Sequence, residues 1–163
     1  MPAVEKIYLD TNVFILAFEN AGMATQLLRK LFAIEGEEAL FATSELTLSE
    51  LLVRPIREAN AALINAYEAT ISRSPWLEVV PVGKPILRHA AMLRAGHASL
   101  KLPDAIHVST AFATRCSHLL TSDTGLKHDY EIDGAGNASK RAPLATLRPD
   151  DATLTSLIES MSR

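Results

Sequence analysis

The chain has 163 residues, 48% of them hydrophobic, with a formal net charge of -3 and a single cysteine. That length suits one domain, 1–163, able to bury a core without staples. The balance excludes an overtly basic nucleic-acid binder, the lone Cys116 excludes an internal disulfide framework, and the apolar runs fall well short of the roughly 18–20 residues that span a bilayer.

The opening stretch MPAVEKIYLD has neither a basic nor an apolar leader region, so no secretory signal is expected. Cys116 reads as a buried, inert thiol near a helix end. Together these features point to a reducing, cytoplasmic setting without membrane association.

In chain order, residues 4–9 predict a short strand ending at Asp10, and TNVFILAFENAG a helix closed near Gly22. Met23 to Ile34 is amphipathic, with Leu27, Leu28, Leu31 and Phe32 at helical spacing. Ala39 to Ala42 reads as a second strand, and Ser44 as the cap of the following helix, which Pro55 is expected to interrupt or restart. Asn60 to Ser72 continues helically, Leu77 to Val82 is a Val-rich strand, and Pro85 to His97 is a helix. Pro103 suits the first turn of the next helix. His118 to Thr121 reads as a buried strand, Asp129 to Arg141 as a polar loop containing Gly134 and Gly136, and Leu144 to Leu147 as an edge strand. Asp150 or Asp151 caps a last helix to Met161. Strands alternating with helices predict an α/β domain with a mainly parallel sheet, whose ligands bind beyond the carboxyl ends of the strands. Asp10 and Asp123 each follow a predicted strand and so share that edge.

Four acids stand out, and each has an ordinary structural reading. Asp10 and Asp123 can cap helices. Asp104, beside Pro103, suits a first helical turn. Glu50 follows Thr47 at capping-box spacing. Yet Glu50 lies among Leu46, Leu48, Leu51 and Leu52, inside a helix rather than at its start. A buried acid there needs a partner, either Arg54 four residues on or a cation shared with Asp10, Asp104 and Asp123. Oxygen ligands of this kind suit Mg²⁺ or Mn²⁺, and no Cys/His arrangement competes. Setting the four aside leaves 15 acids against 16 Lys+Arg, a balance compatible with a phosphate ligand.

In the stretches IYLDTNVFI, TLSELLVRP, KLPDAIHVSTAF and HLLTSD, the chain resembles the PIN-domain family, and within it the VapC-type toxins of toxin–antitoxin systems. The resemblance runs from about Ile7 to about Lys127 and takes in all four acids in order. It implies a three-layer α/β/α fold with a five-stranded sheet of order 3-2-1-4-5. It makes Asp10, Glu50, Asp104 and Asp123 the catalytic and metal-holding quartet. Thr11 and Asn12 match the polar pair after the first acid, and Thr121 the hydroxyl two positions before the last, all as supporting residues. Leu126 stands where many relatives carry a further acid. A small antitoxin partner and a homodimer are also implied, with an apolar groove between the second and third helices as the antitoxin's docking surface.

The expected chemistry is metal-dependent hydrolysis of RNA phosphodiester bonds. His107, three residues after Asp104, shares its helix face and either packs or reaches the site. Arg54, Lys101 and Lys127 lie near the acids in sequence, where each either contacts phosphate or is solvated or ion-paired. Trp76, before a Val-rich strand, is expected in the core rather than stacked on a base. A dehalogenase-type phosphotransferase would need an acid where Asn12 stands. A catalytically silent PIN-like module binding RNA or protein is the other reading, and metal-dependent cleavage separates the two.

Overall fold

The computed structural model describes residues 4–34, 36–126, 130 and 143–162. The sheet is built from β1 (Ile7–Leu9), β2 (Phe41–Ser44), β3 (Leu77–Val80), β4 (His118–Leu120) and β5 (Ala145–Leu147). All neighbours are parallel and the order is β3-β2-β1-β4-β5, as the resemblance implied. The helices are α1 (Thr11–Glu19), α2 (Met23–Phe32), α3 (Glu45–Arg57), α4 (Ala61–Thr70), α5 (Lys84–Gly96), α6 (Leu102–Ala113) and α7 (Asp151–Met161).

Strand periodicity divides the core into two layers. Tyr8, Ala42 and Leu119 face α5 and α6, packing with Ile86, Ala90, Val108, Ala111 and Phe112. Their neighbours Ile7, Leu9, Phe41 and Leu120 point the other way, against Val13 and Phe14 of α1, Leu28 and Leu31 of α2, and Leu154 and Leu157 of α7. Trp76 packs in this second layer against Phe32 and Phe41, the core role expected of it.

Two expectations need correction. The second strand lies two residues later than Ala39 to Ala42, because Phe41 to Ser44 pairs with Leu77 to Val80 and Ser44 both ends the strand and caps α3. Pro55 neither stops nor restarts α3, which runs through it to Arg57. Proline removes only the amide bond to its own preceding turn, and its ring is buried in the packed side of the helix. Lys127, His128 and, apart from Tyr130, the predicted loop from Asp129 to Arg141 lie outside the described residues.

The chain order reverses beside β1, which pairs with β2 on one side and β4 on the other. In open parallel sheets a crevice opens at this switch point, beyond the strand ends. Leu9 pairs with Leu120, so the next residues, Asp10 and Thr121, are adjacent at that edge. The amide of Asp10 donates to Leu120 O at 3.1 Å, and that of Thr121 to Leu147 O at 3.0 Å.

Candidate active site

Asp10 is held at the end of β1 by the turn into α1. Its Oδ1 accepts from the Thr11 amide at 2.7 Å, the cap bond of α1. Its Oδ2 accepts from Asn12 Nδ2 at 2.7 Å and from Thr121 Oγ1 at 2.6 Å. The helix-cap reading of Asp10 is therefore correct, yet its carboxylate has two donors beyond the cap and is only 6% exposed. Thr121 in turn accepts from the Asp123 amide at 3.0 Å, and Asn12 Oδ1 accepts from the Ser122 amide at 2.8 Å. The polar residues singled out in the sequence thus tie the end of β1 to the end of β4.

Glu50 comes from α3. The cap of that helix is Ser44, and Thr47 bonds Thr43 instead, so Glu50 closes no capping box. Nor is Arg54 its partner, because the guanidinium pairs with Glu19 at 2.8 Å and Glu58 at 2.9 Å. Glu50 Oε2 accepts from Thr11 Oγ1 and, at 2.9 Å, from His107 Nε2. Burial pushes the Glu50 carboxyl up, but these hydrogen bonds outweigh it and hold it below the ordinary range.

Asp104 lies in the first turn of α6. Burial raises its carboxyl first, and the negative charges of Asp123 and Asp10 raise it further. Carboxylates that oppose one another's ionisation in this way form an anionic pocket. Asp123 follows β4 in a tight turn, where its Oδ1 accepts from the Gly125 amide at 2.7 Å. A Cβ on Gly125 would stand 3.1 Å from that oxygen, so the glycine permits the close approach.

Two contributors were not singled out in the sequence. Tyr8 reaches His107 Nδ1 at 2.8 Å from the α5/α6 face of β1. Arg148, just after β5, donates to Thr121 O, Asp123 O and Leu126 O, clamping the turn that carries Asp123. Neither has a local sequence signal, because both act on residues far away in the chain. His107, which could have packed or reached the site, reaches it: its Nε2 is also 3.6 Å from Asp10 Oδ1. Lys101 precedes α6, exposed, and its charge draws the Asp104 carboxyl down slightly.

The donor set consists of oxygens on four acids, of which Asp10 is buried and Glu50 and Asp104 are partly so, and a hard divalent ion would offset their charge. Among the described residues, no three acid, His or Cys side chains already close around a common point; the fit is one of chemistry and charge. Elsewhere, an apolar groove of about 580 Å³ is lined by Phe18, Arg29, Phe32, Ala69 and Trp76. It lies between α1, α2 and the end of α4.

No curated protein sequence matches the chain significantly. Among solved structures, it is similar to a toxin–antitoxin complex from Klebsiella pneumoniae (TM-score 0.57, 21% identity, covering 90% of this chain and 99% of that one). It is also similar to VapC20 of Mycobacterium tuberculosis, a toxin that cleaves the sarcin–ricin loop (TM-score 0.57, 16% identity, covering 70% and 87%). A third similar structure is VapBC2 of Rickettsia felis, bound to a promoter DNA fragment (TM-score 0.53, 19% identity, covering 72% and 88%). At these identities the likeness is one of fold. The family model of the PIN domain matches residues 7–130, a span that includes all four acids, and the chain belongs to the PIN-domain family.

Proposed function

We propose that this protein is a divalent-metal-dependent ribonuclease, the toxin of a VapBC-type toxin–antitoxin pair, working as a single PIN-like domain in the cytoplasm. PIN domains are generally nucleases. The observation that carries the finer reading is Asp104, a half-buried acid whose ionisation is opposed by Asp123 and Asp10 in a pocket at the sheet's switch point. Such a pocket is costly without a counter-cation.

In this reading Asp10, Glu50 and Asp104 hold Mg²⁺ or Mn²⁺, and Asp123 completes the site or orients the attacking water. Bound there, the cation supplies water activation near neutral pH and neutralises charge on the scissile phosphate. Thr11, Asn12 and Thr121 keep Asp10 from rotating, so its geometry is set before RNA arrives. Hydrolysis breaks the bond between phosphorus and the leaving 3′ oxygen, and no Ser, Cys or His nucleophile takes part.

The antitoxin is a small protein whose helix lies in the groove between α1, α2 and α4, with Phe18, Phe32 and Trp76 as its apolar floor. The toxin itself is a homodimer. A monomer by light scattering at micromolar concentration would refute the dimer. Co-purification from the native operon is expected to recover the antitoxin, and substituting Trp76 by Ala to weaken its capture.

The deciding experiment is cleavage of a mixed RNA pool with Mg²⁺ or Mn²⁺ and with EDTA. Cleavage should require metal and disappear in Asp10→Asn and Asp104→Asn, both still folded. A folded, metal-loaded chain that leaves the pool, tRNA and ribosomal RNA untouched points instead to an RNA- or protein-binding module.

A further inference from the structure

Of the four acids, Glu50 is the one the sheet does least to hold. Asp10 and Asp123 follow strand ends fixed by backbone pairing, and Asp104 sits on a short side chain in a first helical turn. Glu50 projects from the middle of α3 on a longer side chain with more rotamer freedom to lose. What restrains it is a donor from each of two elements, Thr11 Oγ1 at the start of α1 and His107 Nε2 on α6, both on Oε2. Among the described residues, no donor reaches Oε1.

His107 is itself fixed. It is 2% exposed, with one ring nitrogen on Glu50 at 2.9 Å and the other on the Tyr8 hydroxyl at 2.8 Å. An ionised carboxylate only accepts, so Nε2 carries the proton and donates to Glu50. In the neutral ring Nδ1 then accepts from Tyr8 O–H, a phenol that burial keeps protonated. Tyr8 is 0% exposed on the central strand, so the pair runs from the middle of the sheet to the acid with the longest side chain.

We propose that Tyr8 and His107 are positioning residues that hold Glu50 by Oε2 and leave Oε1 directed at the divalent cation. This rests on the metal-nuclease reading above. Neither residue touches RNA. Their effect passes through the hydrogen bond to Glu50, as outer-shell partners of metal ligands commonly act.

The test is Mn²⁺ binding by titration calorimetry, without RNA, on the full chain and on His107→Ala, His107→Gln, Tyr8→Phe and Asp104→Asn, with cleavage kinetics alongside. His107→Ala should weaken Mn²⁺ binding by about 10–100-fold and lower kcat, with KM for RNA unchanged. His107→Gln, whose amide can donate from nearly the position of Nε2, should recover part of the affinity. Tyr8→Phe should fall between Gln and wild type. Unchanged Mn²⁺ affinity in His107→Ala and Tyr8→Phe, with Asp104→Asn impaired, overturns the positioning role and leaves the nuclease reading intact. Mn²⁺ binding and cleavage that persist in Asp104→Asn overturn that reading, and the positioning role with it. If His107→Ala does not fold, Tyr8→Phe decides: unchanged affinity there overturns the role.

Discussion

At the scale of single residues, the site sets stability against function. Burial, and then the charges of Asp123 and Asp10, raise the Asp104 carboxyl, so in the absence of metal its negative charge works against the fold. Asp104→Asn should therefore raise the thermal midpoint in EDTA while removing the stabilisation that Mn²⁺ gives the wild type through binding the folded state. Scanning calorimetry with and without Mn²⁺ measures both shifts, and a lower midpoint for the variant in EDTA would contradict the assignment. Thr121 has the opposite character. Its hydroxyl donates to Asp10 and accepts from Asn12 Nδ2 and the Asp123 amide. Thr121→Val keeps the shape and loses the network, and should cost about 1.5–3 kcal/mol in urea unfolding, with an unchanged denaturant slope.

At the scale of elements, α7 is held in place by both its cap and its core face. Asp150 accepts from the Thr153 amide at 2.9 Å and from its hydroxyl at 3.0 Å. The amide bond, then the hydroxyl, hold its carboxyl below the ordinary range. Asp150→Ala should cost about 1 kcal/mol. The sign of the pH effect follows from the depressed folded value. The ionised cap contributes fully above the ordinary aspartate pKa and is lost as pH falls below it and through the folded one. The difference between wild type and Asp150→Ala should thus shrink on acidification, and a gap that widens instead would exclude the cap as its source. The elements were largely legible because periodicity and caps are local. Ser44, Pro103 and Asp150 mark helix starts as expected. Pro55 was misjudged because whether a helix survives a proline depends on what packs around it.

At the scale of the molecule, α7 lies beyond the segment matched by the family model, yet Leu154 and Leu157 complete the same core layer as Phe14, Leu28 and Leu31. The single Trp76 packs into that same layer, against Phe32 and Phe41. Leu157→Ala should cost about 2–5 kcal/mol, and Trp76 fluorescence and far-ultraviolet circular dichroism should report one shared transition. Separate transitions would mean that α7 unfolds independently of the layer it covers.

The sequence by itself determined the α/β class and the order of elements, and singled out the four acids of the proposed site, because these are written in local patterns: alternating apolar residues, helix caps and acids placed after strands. Only the tertiary structure decided their partners. Glu50 binds Thr11 and His107 rather than Arg54, although the i,i+4 spacing favoured the arginine, because Arg54 is paired instead with Glu19 of α1 and Glu58 at the end of α3. Tyr8 and Arg148 support the site across long stretches of chain. No local pattern encodes such bonds, since they exist only once the sheet has brought the ends of β1, β4 and β5 together.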